Sequence, residues 1–283
     1  MQDRNEALDL SIVIPWSNRP ELATTMRRNT EAFESLAAEV LVVNCGGDPR
    51  ALESVVNASA PRCLRVIEVR SECFNKCLAL NVGAFLSRAS RLLFLDADIV
   101  ISATVLAGMV ERADQHSFVT MQWVIESDAT ERRTDLVECT QTMEYVWTDG
   151  QRLSFELFRS RGADLARGGP GLICVLKEHF LAVHGMNSRL AGWGWEDQDL
   201  IIRLLAMTGL RRVLFGEAQH LAHDDSRRTL NGTTRHEADQ RNMSICYANY
   251  ERRSFLGTLR RDLVTYKDRL LEYALPQKTD IAG

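Results

Sequence analysis

Short apolar runs alternate along this chain with longer segments whose apolar residues recur at helical spacing, a pattern that predicts an α/β architecture with a mainly parallel sheet. SIVIP (11–15) predicts a first strand, stopped by Pro15. Leu22, Met26, Phe33 and Leu36 give the stretch 19–38 one apolar face, as an amphipathic helix requires. EVLVVN (39–44) predicts a second strand, closed by the breaker cluster Cys45-Gly46-Gly47-Asp48-Pro49, and LRVIEV (64–69) a third. NKCLALNVGAFLSRA (75–89) suits a helix interrupted only by Gly83 and leads into a strand at 91–95. This alternation is that of a nucleotide-binding half-domain, a pattern shared by many unrelated enzymes.

A helix (103–115) and a strand (117–125) are expected next, then a polar stretch at 126–135 that reads as a mobile or acceptor-facing loop. Glycines surround a short helix and precede a strongly amphipathic one in the segment GGPGLICVLKEHFLAVHGMNSRLAGWGWEDQDLIIRLLAMTG. Residues 211–223 supply one more strand and a histidine-bearing loop. The polar, helix-prone remainder predicts a helical extension over 229–283, packed on a catalytic unit of residues 1–228 that divides into a nucleotide-binding half (10–102) and an acceptor half (103–228).

Composition narrows the class. With 283 residues, 45% hydrophobic and 25% charged, the chain can bury a sizeable core. A formal charge of −4 provides no global cationic field for nucleic acid. Seven scattered cysteines without a CxxC pair argue for reduced thiols rather than a disulfide framework. No stretch is apolar enough for a membrane span or a signal peptide, so a cytoplasmic location is expected.

Three constellations could carry chemistry. Asp96-Ala97-Asp98 ends the strand 91–95; if the strand continued, both carboxylates would share one face and converge on Mg²⁺ or Mn²⁺, although a strand end emerging into solvent would look the same. Gly192-Trp193-Gly194-Trp195-Glu196-Asp197-Gln198-Asp199 opens a helix. Helix capping explains some of its acids, while the tryptophans and glycines suit a loop that closes over a sugar, with a neighbouring carboxylate as general base. An exposed aspartate there would be ionised near neutral pH without special tuning. His220 and His223 follow the last strand, as surface residues or as metal ligands.

The order of these pieces resembles the glycosyltransferases of the GT-A fold. The N-terminal half resembles family 2, and the second half the galactosyltransferase module of β-1,4-galactosyltransferases and bacterial chondroitin-type polymerases. SIVIPWSNRPEL, FNKCLALNVGAF, FLDADIV, GGPGLICVLKEHFLAVHGMN and GWGWEDQDLIIRL are similar, in that order, to the nucleotide loop, the helix after the third strand, the Asp-x-Asp strand and the two acceptor-half motifs of these enzymes. The resemblance covers about residues 10–225. It implies that Pro15, Trp16, Ser17, Arg19, Asn44, Lys76, Asp96 and Ala97 bind the nucleotide and that Asp98 and His223 hold Mn²⁺ or Mg²⁺. Gly169, Trp193, Gly194, Trp195 and Glu196 would bind substrate, and Asp197 would be the base. Asn44 stands where many members carry Asp, and Trp195 where the family has glycine.

The implied reaction moves a sugar, with inversion, from a nucleotide-sugar such as a UDP-sugar to a hydroxyl acceptor on a soluble glycan, peptide or small molecule. A retaining polypeptide-type transferase, a nucleotidyltransferase and a non-catalytic binding module are the competing readings. Against the second of these, Pro15-Trp16-Ser17-Asn18-Arg19 is no glycine-rich phosphate loop; against the first, Asp197 is a carboxylate where some retaining relatives have Asn.

Overall fold

The computed structural model describes residues 8–57, 61, 63–128, 138–162, 166–223 and 232–273. In the N-terminal half, β1 (Leu10–Trp16), β2 (Glu39–Cys45), β3 (Leu64–Val69) and β4 (Arg91–Phe94) alternate with α1 (Glu21–Ser35), α2 (Pro49–Asn57) and α3 (Lys76–Leu86). These strands pair in parallel in the order β3-β2-β1-β4. β1 and β2 are buried on both faces, which is why their sequences read as nearly unbroken apolar runs, whereas β3 keeps Arg65 and Glu68 partly exposed. Ile12 and Ile14 pack with Leu22, Met26 and Phe33 of α1, whereas Val13, Leu41 and Val43 face α3 on the opposite side. Gly83 permits that contact, because a Cβ there would stand 2.3 Å from Val13 Cγ1.

Pro15 does not stop the first strand, which runs on to Trp16 with Pro15 paired to Val43. The carbonyl of Val13 accepts from the Leu95 amide on the β4 side. Two residues later the proline faces the same side, where β4 has ended at Phe94, so its missing N–H breaks no ladder bond.

The second half comprises β5 (Ile99–Ile101), α4 (Ala103–Arg112), β6 (Ser117–Glu126), β7 (Glu138–Val146), β8 (Arg152–Arg161), β9 (Ala166–Leu176), α5 (Lys177–Ala182), α6 (Glu196–Thr208) and β10 (Arg211–His220). Antiparallel β9 joins β4 to β6, and β10 and β5 extend the sheet beyond them. The fold is GT-A, as the sequence implied. The β7–β8 hairpin is an addition to the expected elements. Of the polar stretch 126–135, Glu126 closes β6 and residues 129–135 lie outside the described residues.

After residue 231 come α7 (Arg235–Glu251), α8 (Leu259–Tyr266) and β11 (Leu270–Tyr273). The extension is therefore not wholly helical. Its last strand pairs antiparallel with β3, and Arg65 of β3 bonds Glu272 of that strand on one side and Glu39 of β2 on the other. Among the described residues, no helix is long and apolar enough to cross a membrane.

Candidate active site

A cavity of about 640 Å³ opens along the carboxyl ends of β1 and β4 and runs between β8, β9 and the loop that precedes α6. At one end lies the Asp96-Ala97-Asp98 segment. It forms a turn between β4 and β5 rather than the continuation of a strand, and its two carboxylates diverge. Asp96 Oδ1 meets Lys76 Nζ at 3.1 Å, while Asp98 Oδ2 meets Arg19 at 2.6 Å. The shared-face convergence expected of an extended strand is absent because the chain turns at Ala97.

Strand register brings the histidines to Asp98. Ile99 of β5 pairs with His220 of β10, and the Leu221 amide donates to the Asp98 carbonyl at 2.8 Å. His220 Nε2 and His223 Nε2 then lie 3.5 Å and 3.3 Å from Asp98 Oδ2, and one ligand atom from each of the three residues falls within 4.8 Å of the others. One carboxylate oxygen and two imidazole nitrogens converging at this spacing fit a Mn²⁺-type cation. Glu126 Oε2 sits 2.5 Å from His220 Nδ1, an outer partner of the kind that orients a metal-bound imidazole. Burial opposes the charge on both groups; it is outweighed by the two carboxylates, which raise His220 to about 9, and by His220, Arg19 and His223, which lower Asp98 to about 2. His220 thus joins the pair Asp98 and His223. The His-x-x-His spacing was visible in the sequence, but only the β5–β10 register shows that both rings reach one carboxylate.

Across Lys76 from Asp96, Trp195 caps α6 and places Glu196 and Asp197 in its first turn. A Cβ on Gly171 would stand 2.5 Å from Asp197 Oδ2, so glycine at this point of β9 makes room for the carboxylate. Lys76, the first residue of α3, extends its Nζ to 3.3 Å from Asp197 and 3.9 Å from Glu196. Asp197 is not an untuned exposed acid. Burial raises its pKa, and Lys76 pulls it back. Glu196, half-buried beside Asp197, is pushed up to about 7 by desolvation and by that neighbouring carboxylate. Burial would lower Lys76, but Asp197, Asp96 and Glu196 together raise it well above the ordinary lysine value.

Pro15, Ser17, Arg19, Lys76, Asp96 and Ala97 line the cavity, as do Gly169, Trp193, Gly194 and Trp195. Trp16 and Asn44 lie beneath it. The Trp16 indole is buried and donates to the Arg19 carbonyl at 2.8 Å; Asn44 is buried and exchanges hydrogen bonds with the Gly47 backbone, bracing the loop after β2. Sequence reasoning did not single out Arg159, Arg167, Arg212 or the α7 residues that complete the wall. They lie on strands and a helix whose register with the cavity has no local sequence signal.

The Glycosyl transferase family 2 profile matches residues 11–161, more than half of the chain. The chain belongs to this family. A second profile, described as the N-terminal domain of galactosyltransferase, matches residues 160–224, so the two matches overlap at residues 160 and 161. No curated protein matches the sequence significantly. Among solved structures, S. aureus TarS is similar at a TM-score of 0.53 and 14% identity over 92% of this chain and 43% of that one. TarS 1-349 in complex with UDP-GlcNAc is similar at 0.51 and 14% over 91% and 73%. Another structure of TarS 1-349 gives 0.49 and 14%, and there the alignment covers 75% of this chain and only 60% of that one. At such identities the likeness shows the fold shared by this family 2 chain and those proteins.

Proposed function

We propose that this family 2 chain is a metal-dependent inverting glycosyltransferase that moves a sugar from a UDP-sugar to a hydroxyl acceptor on a soluble glycan, peptide or small molecule. The observation that carries the reading is the cluster of Asp98, His220 and His223 beside a cavity in which Lys76 pairs with both Asp96, on the same turn as Asp98, and the half-buried acid Asp197. Binding of UDP-GlcNAc by the structural neighbour TarS 1-349 is consistent with a UDP-sugar donor.

Asp98, His220 and His223 would hold Mn²⁺ or Mg²⁺, which supplies positive charge for the diphosphate. Pro15 and Ser17 line the donor end, and Arg19 and Lys76 add fixed positive charge there. Asp197 takes the proton of the acceptor hydroxyl as that oxygen attacks the anomeric carbon from the face opposite the diphosphate, which inverts the configuration. Lys76 favours the ionised form of Asp197, opposing the burial that raises its pKa. Glu196, whose pKa burial and Asp197 push up to about 7, accepts from sugar hydroxyls as a carboxylate and donates to them when protonated. Residues 1–228 provide this machinery, and 229–283 form an extension that completes the acceptor side.

The test is UDP release and product anomeric configuration, measured with UDP-sugars and hydroxyl acceptors in Mn²⁺ and in chelator. Turnover that needs Mn²⁺ and gives an inverted product supports the reading. A retained configuration, or UDP release that persists in chelator, refutes it.

A further inference from the structure

Helix α7 lies beyond both family profiles, which end at residues 161 and 224, yet it forms a wall of the cavity. Its residues separate into two adjacent stripes with four-residue spacing. Ala238, Asn242, Cys246 and Tyr250 are buried against the body of the protein. In that stripe, Asn242 Nδ2 donates to the Gly194 carbonyl at 2.8 Å, and the Tyr250 hydroxyl donates to Asp199 at 3.0 Å. These bonds fix α7 to the loop and helix that carry Asp197. The neighbouring stripe, Arg235, Asp239, Met243 and Tyr247, faces the cavity.

The wall lies on the acceptor side of the base. Contacts run from Asp98 through the adjoining turn to Asp96, Lys76 and Asp197, then to Trp195, whose ring meets Tyr247 edge to face at 5.3 Å. Asp239 packs against Gly194, where a Cβ would lie 2.4 Å from its Oδ1. Its carboxylate is half-buried and lines the cavity. Among the described residues it has no hydrogen-bond or ion-pair partner, so its oxygens are available to accept from a ligand in the cavity. A carboxylate that accepts from two hydroxyls, beside the apolar surfaces of Met243 and Tyr247, matches a pyranose ring with one polar edge and one C–H face.

We propose that the Asp239, Met243 and Tyr247 stripe of α7 is the acceptor-reading wall, and that the acceptor presents a sugar ring whose hydroxyls bond Asp239. This rests on the transferase reading above. It adds that specificity for the acceptor resides in the segment outside the family profiles.

The test measures initial velocities of the full chain with Mn²⁺, varying donor and acceptor independently. The donors are UDP-glucose, UDP-galactose and UDP-GlcNAc; the acceptors are p-nitrophenyl glycosides, with glycerol and a Ser/Thr peptide as hydroxyl acceptors lacking a sugar ring. Asp239→Asn keeps the volume and removes the charge. It is expected to raise the acceptor KM about tenfold, the size of one lost hydrogen bond to a charged group, while the donor KM stays within about twofold. Met243→Ala, a second variant independent of that charge, is expected to reorder the glycoside acceptors. Equal changes in both KM values, an unchanged acceptor KM and acceptor order, or a preference for glycerol or the peptide would overturn the proposal. Absence of turnover by the wild-type chain with every pair would overturn the transferase reading, and this inference with it.

Discussion

Lys76 Nζ lies 3.3 Å from Asp197 Oδ1, joining the first turn of α3 in one half of the chain to the first turn of α6 in the other. The amine's charge lowers the pKa of an acid that burial raises. Removing it with Lys76→Met should move the acid limb of the kcat/KM pH profile to higher pH, in addition to any loss in rate. An acid limb in the wild-type position would show that Lys76 does not set the base's ionisation. Asp197→Asn should lower kcat by about 10²- to 10⁴-fold with the circular dichroism spectrum unchanged.

Glu196 links the site to stability. Its pKa rises from an ordinary 4.5 to about 7 on folding, so the folded state holds its proton more tightly than the unfolded chain. That contribution is complete below about pH 4.5 and is lost as pH rises through about 7. Glu196→Gln removes it, and urea unfolding of the variant should lose less free energy than wild type across this window, by on the order of 1–3 kcal/mol. Parallel stability curves for the two proteins would contradict this.

Mn²⁺ binding can be followed by calorimetry without turnover. Asp98→Asn and His220→Ala should each abolish measurable binding, because each removes one of the three converging ligands. Glu126→Gln, which alters the partner of His220 Nδ1 and leaves all three ligands in place, should weaken binding by about 10- to 100-fold. Wild-type affinity in His220→Ala would reduce the site to Asp98 and His223.

Trp195 adopts φ +70°, a left-handed conformation that costs a non-glycine residue about 1 kcal/mol. Its ring is nevertheless buried against Tyr247. Trp195→Gly relieves the backbone but empties the ring's site, a loss of about 3–5 kcal/mol, for a net destabilisation of about 2–4 kcal/mol. Trp195→Ala should be less stable than Trp195→Gly, the reverse of the usual order, since alanine keeps the strain. Thermal melts of both variants check this order, and acceptor and donor assays of Trp195→Gly should show altered sugar preference.

Apolar periodicity alone was enough to predict β1 to β4, α1, α3 and the α/β class, because strands buried on both faces and helices packed on them must place apolar side chains at regular intervals. The turn into α6 is likewise a local matter: it needs a positive φ, which Trp195 adopts. The exposed face of the β7–β8 hairpin and the strand β11 lack such a signature, since each is stabilised by a distant partner, the hairpin against α7 through Tyr145 and Tyr247 and β11 through Arg65 and Glu272.

The same distinction applies to the site. Sequence by itself determined the residue types: two aspartates after a strand, an acidic helix start after paired tryptophans, and two histidines after the last strand. Only the tertiary structure decided what each one meets. The turn at Ala97 separates Asp96 from Asp98, the β5–β10 register brings both His220 and His223 to Asp98, and burial beside Lys76 changes the acidity of Asp197. Spacing along a chain defines local conformation, whereas proximity, desolvation and charge pairing arise between segments more than a hundred residues apart, such as those of Lys76 and Asp197.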